Sequence, residues 1–388
     1  MNRAIFITVG IVLVIIVFLL WLFLFVNGAP DNTREVFSDL GIVETSEREV
    51  DAQNPDIIND DGSVVLNLTD GVLQQITTSP IAGFSTASTS NGKNILRYVE
   101  RGTGYIFEIN LNSGLQTQVT PSTIPNTIEA YFSPDLEKVV IVSEREGRKV
   151  TLVELPNNSV TEVRTTTLSA TAENIQFTND ETLTYTQNSP SATVAYTYNL
   201  DTKSPVQSFN LPIPDATVIT TENNNIFAYP KPTALFGGAL YEVTEGVLSP
   251  VSPVELGLVP FIGGGMAVIN RVSDDDFYTS YALPNLAAQP NIMMPEKCTA
   301  SKEGVHVWCG VPTNSPEKGY VEDWYKGVIS SDDLFWDINT LTGVAVLLAS
   351  PKNDIGRQLD VTNMTTDPSK EKLLFLNKID STLWLLSL

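Results

Sequence analysis

Only one histidine, His306, and two cysteines, Cys298 and Cys309, occur in the 388 residues, so nucleophilic and metal chemistry can rest on very few side chains. A Ser-His-Asp hydrolase would need His306 beside an activated serine, and no G-x-S-x-G run supplies one. His306 stands among Val305, Val307 and Cys309, which is the setting of a strand residue. Zinc held by His and Cys is excluded by count, and the cysteines are not spaced as C-x-x-C. They flank Thr299 to Trp308, which reads as two strands turning at Glu303-Gly304, so pairing outward from the turn sets Cys298 opposite Cys309. Opposed residues in a non-hydrogen-bonded antiparallel pair have Cα atoms about 4.5 Å apart, within reach of a disulfide. An oxidising compartment closes such a bond; two buried free thiols are the alternative.

Carboxylates are the other candidates for chemistry. Asp274, Asp275 and Asp276 share one turn, and Glu322, Asp323, Asp332 and Asp333 fall in a later segment. Clustered carboxylates can hold Ca²⁺ through six to eight oxygens; a solvated acidic turn is the alternative, and no EF-hand or RTX spacing specifies a metal. The same groups could pair as the acid and base of a glycosidase, a chemistry set by their separation. Residues 311–333 form a loop of some twenty residues that places Tyr320, Trp324 and Tyr325 beside Asp323. Aromatic rings offer large contact area with a polar handle, and long loops are where binding sites concentrate. Tyr320, Asp323, Trp324 and Tyr325 are therefore the candidate binding residues, the alternative being that the rings fold back onto neighbouring structure.

A repeat positions these residues. Tyr131 to Ser143 and Met364 to Leu376 each read as apolar strand, polar turn, apolar strand. A third strand closed by a Gly or polar turn completes such units, as at Tyr105 to Gly114, Thr193 to Thr202 and Leu334 to Gly343. Units begin near Ala82, Thr127, Ala172, Ala216, Leu258, Cys298 and Asp360, at 40 to 46 residues except for one of 62 that carries the 311–333 insertion. Four short strands per unit at this period predict a β-propeller of seven blades. The last unit has only three strands, and Asp70 to Ile81 parallels the fourth strand Ser113 to Ile124 of the first unit. The spacing predicts that an N-terminal strand at 72–77 completes the last blade and hides its edge. Val64 to Leu68 also reads as a strand, either an extra outer one or one that displaces part of the last blade.

Ala4 to Val26 is 23 residues without a charge, about 34 Å as a helix, enough to span a bilayer. A cleaved signal peptide is the alternative, with Val26-Asn27-Gly28 at its end, but its apolar region would be shorter. Arg3 before the span and acidic residues after it place the N-terminus in the cytoplasm and the rest outside. Residues 28–62, rich in Pro, Asn, Asp and Glu, read as an acidic stalk, which leaves 1–27 as anchor and 63–388 as propeller. The formal charge of −22, from 45 acidic and 23 basic side chains, repels nucleic acid and anionic headgroups.

The Phe-Ser-Pro-Asp turn at 132–135, the apolar strand after it and the strand-then-Gly turn at 106–114 resemble the repeats of TolB-type and dipeptidyl-peptidase-IV N-terminal-type propellers. Residues 320–336 are similar to insertions in membrane-anchored bacterial envelope propellers. Peptidases of the second kind carry an α/β-hydrolase domain for which this chain has no room. The expectation is a non-catalytic, membrane-tethered extracytoplasmic propeller without a required cofactor, binding an envelope protein, peptide or glycan. The alternatives are a polysaccharide-active hydrolase or lyase using channel carboxylates, and a structural subunit of a pilus or secretion complex.

Overall fold

Short strands separated by polar turns can satisfy their backbone groups only by folding back on one another, and the resulting small sheets must then bury their faces on neighbours. The computed structural model describes residues 57–388 apart from short stretches at 59–63, 67, 69–72, 90, 122, 157–161, 222, 285–286 and 290–291. The expected membrane span at 4–26 and most of the stalk lie outside the described residues. Among the described residues, no helix is long and apolar enough to cross a membrane.

The described residues form seven sheets of four or more antiparallel strands, the blades of a propeller. Their first strands are Ile81–Ser88, Thr127–Phe132, Glu173–Asn179, Thr217–Thr220, Val259–Gly263, Cys298–Ala300 and Val361–Thr366. Each lies within a residue or so of the expected unit start. First strands of successive blades lie side by side through blades one to four and again through five to seven, and the ring closes where the Thr86 hydroxyl donates to the Thr366 carbonyl at 3.2 Å. The approach is so close at Gly83 that any Cβ would stand 2.1 Å from the Ala130 carbonyl oxygen. Seven apolar clusters fill the seven blade interfaces, for example Val140, Val142, Val150 and Leu152 of the second blade against Leu183 and Tyr185 of the third.

A turn device recurs between first and second strands. Thr89, Ser133, Thr221, Ser301 and Asp367 each donate their backbone N–H across the turn, to Lys93, Lys138, Asn225, His306 and Lys372. In four of the five the side chain also accepts the N–H of that partner residue. Three residues after each stands Gly92, Leu136, Asn224, Gly304 or Lys370, all at positive φ between 61° and 73°. A polar clamp followed by one left-handed residue thus ends the first strand of five blades, and Phe-Ser-Pro-Asp is one instance of it.

The last blade is completed as expected. Leu73–Gln75 pairs with 384–386 of the strand Thr382–Ser387, which itself pairs with Lys372–Asn377. Val64–Val65 is an extra outer strand, on the first blade rather than the last: it pairs with Leu115 and Gln116 and carries Ile57–Ile58 beyond it. Gly114, at φ 73°, permits this, since the Leu66 carbonyl oxygen lies 1.9 Å from where a Cβ would be. The first sheet therefore begins before residue 63. Cys298 and Cys309 face each other across the hairpin with Cα atoms 4.2 Å apart and are joined in a disulfide.

Deleting Leu383 to Leu388 would strip the strand that holds Leu73–Gln75, leaving two open edges in the closing blade. The expected outcome is loss of soluble, cooperatively unfolding protein, checked by circular dichroism melting; a truncated chain that melts at the full chain's temperature would overturn the closure account.

Candidate functional site

The second-to-third strand connection of the sixth blade, residues 313–332, is pinned at its base by the Thr313 N–H donating to the Asp332 carbonyl at 2.9 Å. It leans on the equivalent turn of the fifth blade: Tyr278 N–H donates to the Pro316 carbonyl at 2.8 Å and Lys318 N–H to the Asp276 carbonyl at 2.7 Å. Gly319 at φ 92° starts a short helix, α1, at Tyr320–Tyr325. Val321 and Trp324, three apart and so on one helical face, point inward onto Val259, Val272, Tyr278, Ile292 and Met294. This eighth apolar cluster fills no blade interface. It exists to seat the loop.

Trp324, only 2% exposed, is the anchor of that seat. Its indole N–H donates to both Asp360 carboxylate oxygens, at 2.8 and 3.0 Å. Asp360 also accepts from the Lys297 ammonium at 2.6 Å, and that ammonium donates to Asp333 at 2.5 Å and to the Ser331 hydroxyl at 2.7 Å. Lys297 is 1% exposed, and both carboxylates are fully enclosed. Lys378 adds a second cation, donating to the Trp324 carbonyl at 2.8 Å with its ammonium 4.5 Å from the ring centroid. Burial raises the Asp333 carboxyl pKa against the pull of Lys297, and burial lowers that of Lys378.

The outward residues of the loop meet different partners. The Tyr325 hydroxyl turns inward and donates to Glu296, 2.8 and 2.9 Å from its two oxygens, while the ring stays 37% exposed. Glu296 is half-buried; burial raises its pKa, and the Tyr325 hydrogen bond pulls the other way. The pKa values of Tyr229 and Tyr278 are likewise raised by burial first and by neighbouring Glu296 and Glu322 second. Tyr320 is partly buried beside the anchor cluster, and burial raises its phenol pKa. Asp323 is half-buried at the surface of α1, and Glu322 accepts from Thr233 at 3.2 Å and from Lys326 at 2.7 Å.

Of the expected binding residues, the structure places Tyr320, Asp323, Trp324 and Tyr325 on one short helix, with Trp324 inside and Tyr325 at the rim. Asp274, Asp275 and Asp276 lie on an exposed turn, with Asp276 3.3 Å from the Lys318 ammonium. Asp333 is drawn into the buried network and Asp332 toward Lys352 at 3.8 Å, so the acidic residues scatter onto separate cations. Among the described residues no three His, Cys, Asp or Glu side chains stand close enough to hold a metal ion. His306 is committed to Asp337 at 2.8 Å and stacks on Trp308 with centroids 5.9 Å apart. Lys297 and Glu296 went unnoticed in the sequence, and Asp360 was read only as the start of a unit. Their one signal is that each lies in a link between the last strand of one blade and the first strand of the next.

No protein-family model matches the chain, and no curated protein matches it in sequence. Solved structures do match in fold. An oligogalacturonate lyase from Vibrio parahaemolyticus superposes with a TM-score of 0.55 at 12% identity, covering 86% of this chain and 96% of its own. The propeller domain of the Trilobed protease from Pyrococcus furiosus superposes with a TM-score of 0.50 at 11% identity, covering 80% and 94%. These likenesses agree with the strand topology in showing a β-propeller fold.

Trp324→Ala should cost about 3–5 kcal/mol, because it removes a buried ring and leaves Asp360 short of a donor; urea denaturation checks this, and a loss under 1 kcal/mol would show that the loop is not anchored through this ring. Glu296→Gln tests the second network. Because its folded pKa is raised, Glu296 contributes most stability below its unfolded value of about 4.3 and loses it as pH rises through the folded value. The variant should therefore gain on the wild type as pH climbs from about 4 to neutrality, read as urea midpoints across that range. A gap that shrinks instead would refute the burial account.

Proposed function

We propose that this chain is a membrane-tethered, extracytoplasmic binding and scaffold module for a protein, peptide or glycan of the cell envelope, held by residues 4–26. The apolar stretch at 4–26, the acidic balance and the Cys298–Cys309 disulfide all support an exported domain. The observation that carries the binding role is the seated loop: a twenty-residue excursion with its own apolar cluster and a buried ionic network beneath α1. A connector needs no such support. A recognition loop does, because ordering it before the encounter spares the entropy otherwise lost on binding. Tyr325 and Asp323 are the contact residues in this reading, Tyr320 frames them, and Trp324 acts from below as their anchor.

A second reading, a polysaccharide-active hydrolase or lyase, draws on the hydrogen-bonded pair of Glu296 and Tyr325, a carboxyl with a raised pKa beside a phenol, the kind of environment that tunes acid–base groups. The first substrate to offer is oligogalacturonate, with an unsaturated product read by ultraviolet absorbance.

Asp323→Ala with Tyr325→Ala should weaken capture of the envelope partner by about 2–4 kcal/mol if the two are hot spots, with no more loss of stability than the missing Tyr325 hydrogen bond to Glu296 explains. Affinity and melting are measured on the same double variant. A fall in stability with binding intact would overturn the assignment, and turnover of the offered saccharide lost on Glu296→Gln would favour the enzyme.

A further inference from the structure

The geometry points to a second part of this docking surface, on the fourth blade, and to a cationic protein segment bearing apolar side chains as its occupant; the inference rests on the binding role proposed above. Leu235 and Phe236 sit side by side at the tip of the connection 230–240, with 74% and 75% of their surface exposed. Single exposed apolar residues are ordinary, but a contiguous group is not. Here Gly237 and Gly238 pair with Leu256 and Glu255 of the link to the fifth blade, and the Val254 methyl lies 2.6 Å from where a Cβ of Gly237 would stand. Val254 is 70% exposed, so Leu235, Phe236, Val254 and Leu256 form one apolar projection.

The projection is held in place from behind. Gly257 N–H donates to the Thr233 carbonyl at 2.9 Å, and the Thr233 hydroxyl donates to Glu322 of α1 at 3.2 Å, which ties the fourth-blade tip to the sixth-blade loop. Two loops from separate blades are thereby joined into one face.

The charge of that face selects the partner. Segments 230–240, 251–258, 273–277 and 313–332 contain eight Asp and Glu against three Lys. Asp274, Asp275 and Asp323 form no salt bridge among the described residues. A second copy of a chain with formal charge −22 would be repelled, as would an anionic lipid surface. A segment with Lys or Arg flanking apolar residues meets both properties: its cations face the rim carboxylates and its apolar groups cover Leu235 and Phe236.

The test places benzoylphenylalanine in place of Phe236 and, separately, of Tyr325, in the full chain in its own membranes, followed by photolysis and sequencing of the cross-linked segment. The expected result is one protein partner caught from both positions, through a segment with excess Lys and Arg. That segment, synthesised as a labelled peptide, should bind the full chain, lose roughly tenfold or more in affinity on Leu235→Ser with Phe236→Ser at unchanged melting temperature, and weaken as salt rises. A cross-link from 325 alone overturns this inference and leaves the binding role standing. Cross-links from neither position overturn both. Capture at 236 of lipid, of a second copy, or of a segment without excess positive charge overturns the cationic partner, as does peptide binding that ignores the Leu235 and Phe236 changes.

Discussion

A buried ammonium governs the face of the molecule on which function is proposed. Lys297 stands where the chain leaves the fifth blade for the sixth, and it can be dry only because Asp333, Asp360 and Ser331 surround it. Each partner comes from a different segment: Asp333 from the strand that ends the long loop, Asp360 from the link into the seventh blade, Ser331 from the loop itself. Removing the Lys297 ammonium would leave two carboxylates uncompensated in the interior, a cost of about 3–5 kcal/mol. The network therefore fixes the relative placement of three segments more strictly than apolar contact could, since ion pairs and hydrogen bonds have direction. Trp324 reads that placement through Asp360, and α1 reads it through Trp324.

The two halves of the ring differ in what their connections do. Between first and second strands, the clamp at Thr89, Ser133, Thr221, Ser301 and Asp367 gives nearly the same short turn each time. The other set of connections, at 230–240, 292–297, 313–332 and 350–360, is elaborated and concentrated in blades four to seven. Regular blades supply the rigid base, and variation is confined to one set of loops, the usual division between scaffold and site.

The fold was legible because its signals are local and repeated: alternating strands, polar turns and a period that returned the blade starts to within a residue or so. The Cys298–Cys309 register could be counted outward from Glu303-Gly304 for the same reason, and the closing strand because Asp70 to Ile81 mirrors a segment of the first blade. Val64–Val65 was recognisable as a strand, but not its destination, since an edge strand joins whichever edge is open in three dimensions. The site was legible only as a loop of unusual length. Trp324 and Tyr325 are neighbours of similar character in the sequence and have opposite fates, because burial follows from the helical face, and that face is set by contacts with residues far along the chain. Lys297 gave no hint, since lysine is almost always a surface residue. Leu235 and Phe236 carry no sequence signal of their exposure, since apolar residues are mostly found inside.

The pairing of Leu73–Gln75 with 384–386 also sets an order of events in time. Some three hundred residues separate these partners, so the ring is an open arc while the intervening blades assemble, and its closure requires one of the longest-range contacts in the chain. Blades one to six can fold from neighbouring sequence as it emerges; the seventh must wait for the strand Thr382–Ser387. Until then both the waiting N-terminal strand and the unfinished sheet present unpaired backbone. During that interval chaperones or proteases would find the chain, and the speed of closure, rather than the final stability of any blade, would decide how much of it survives.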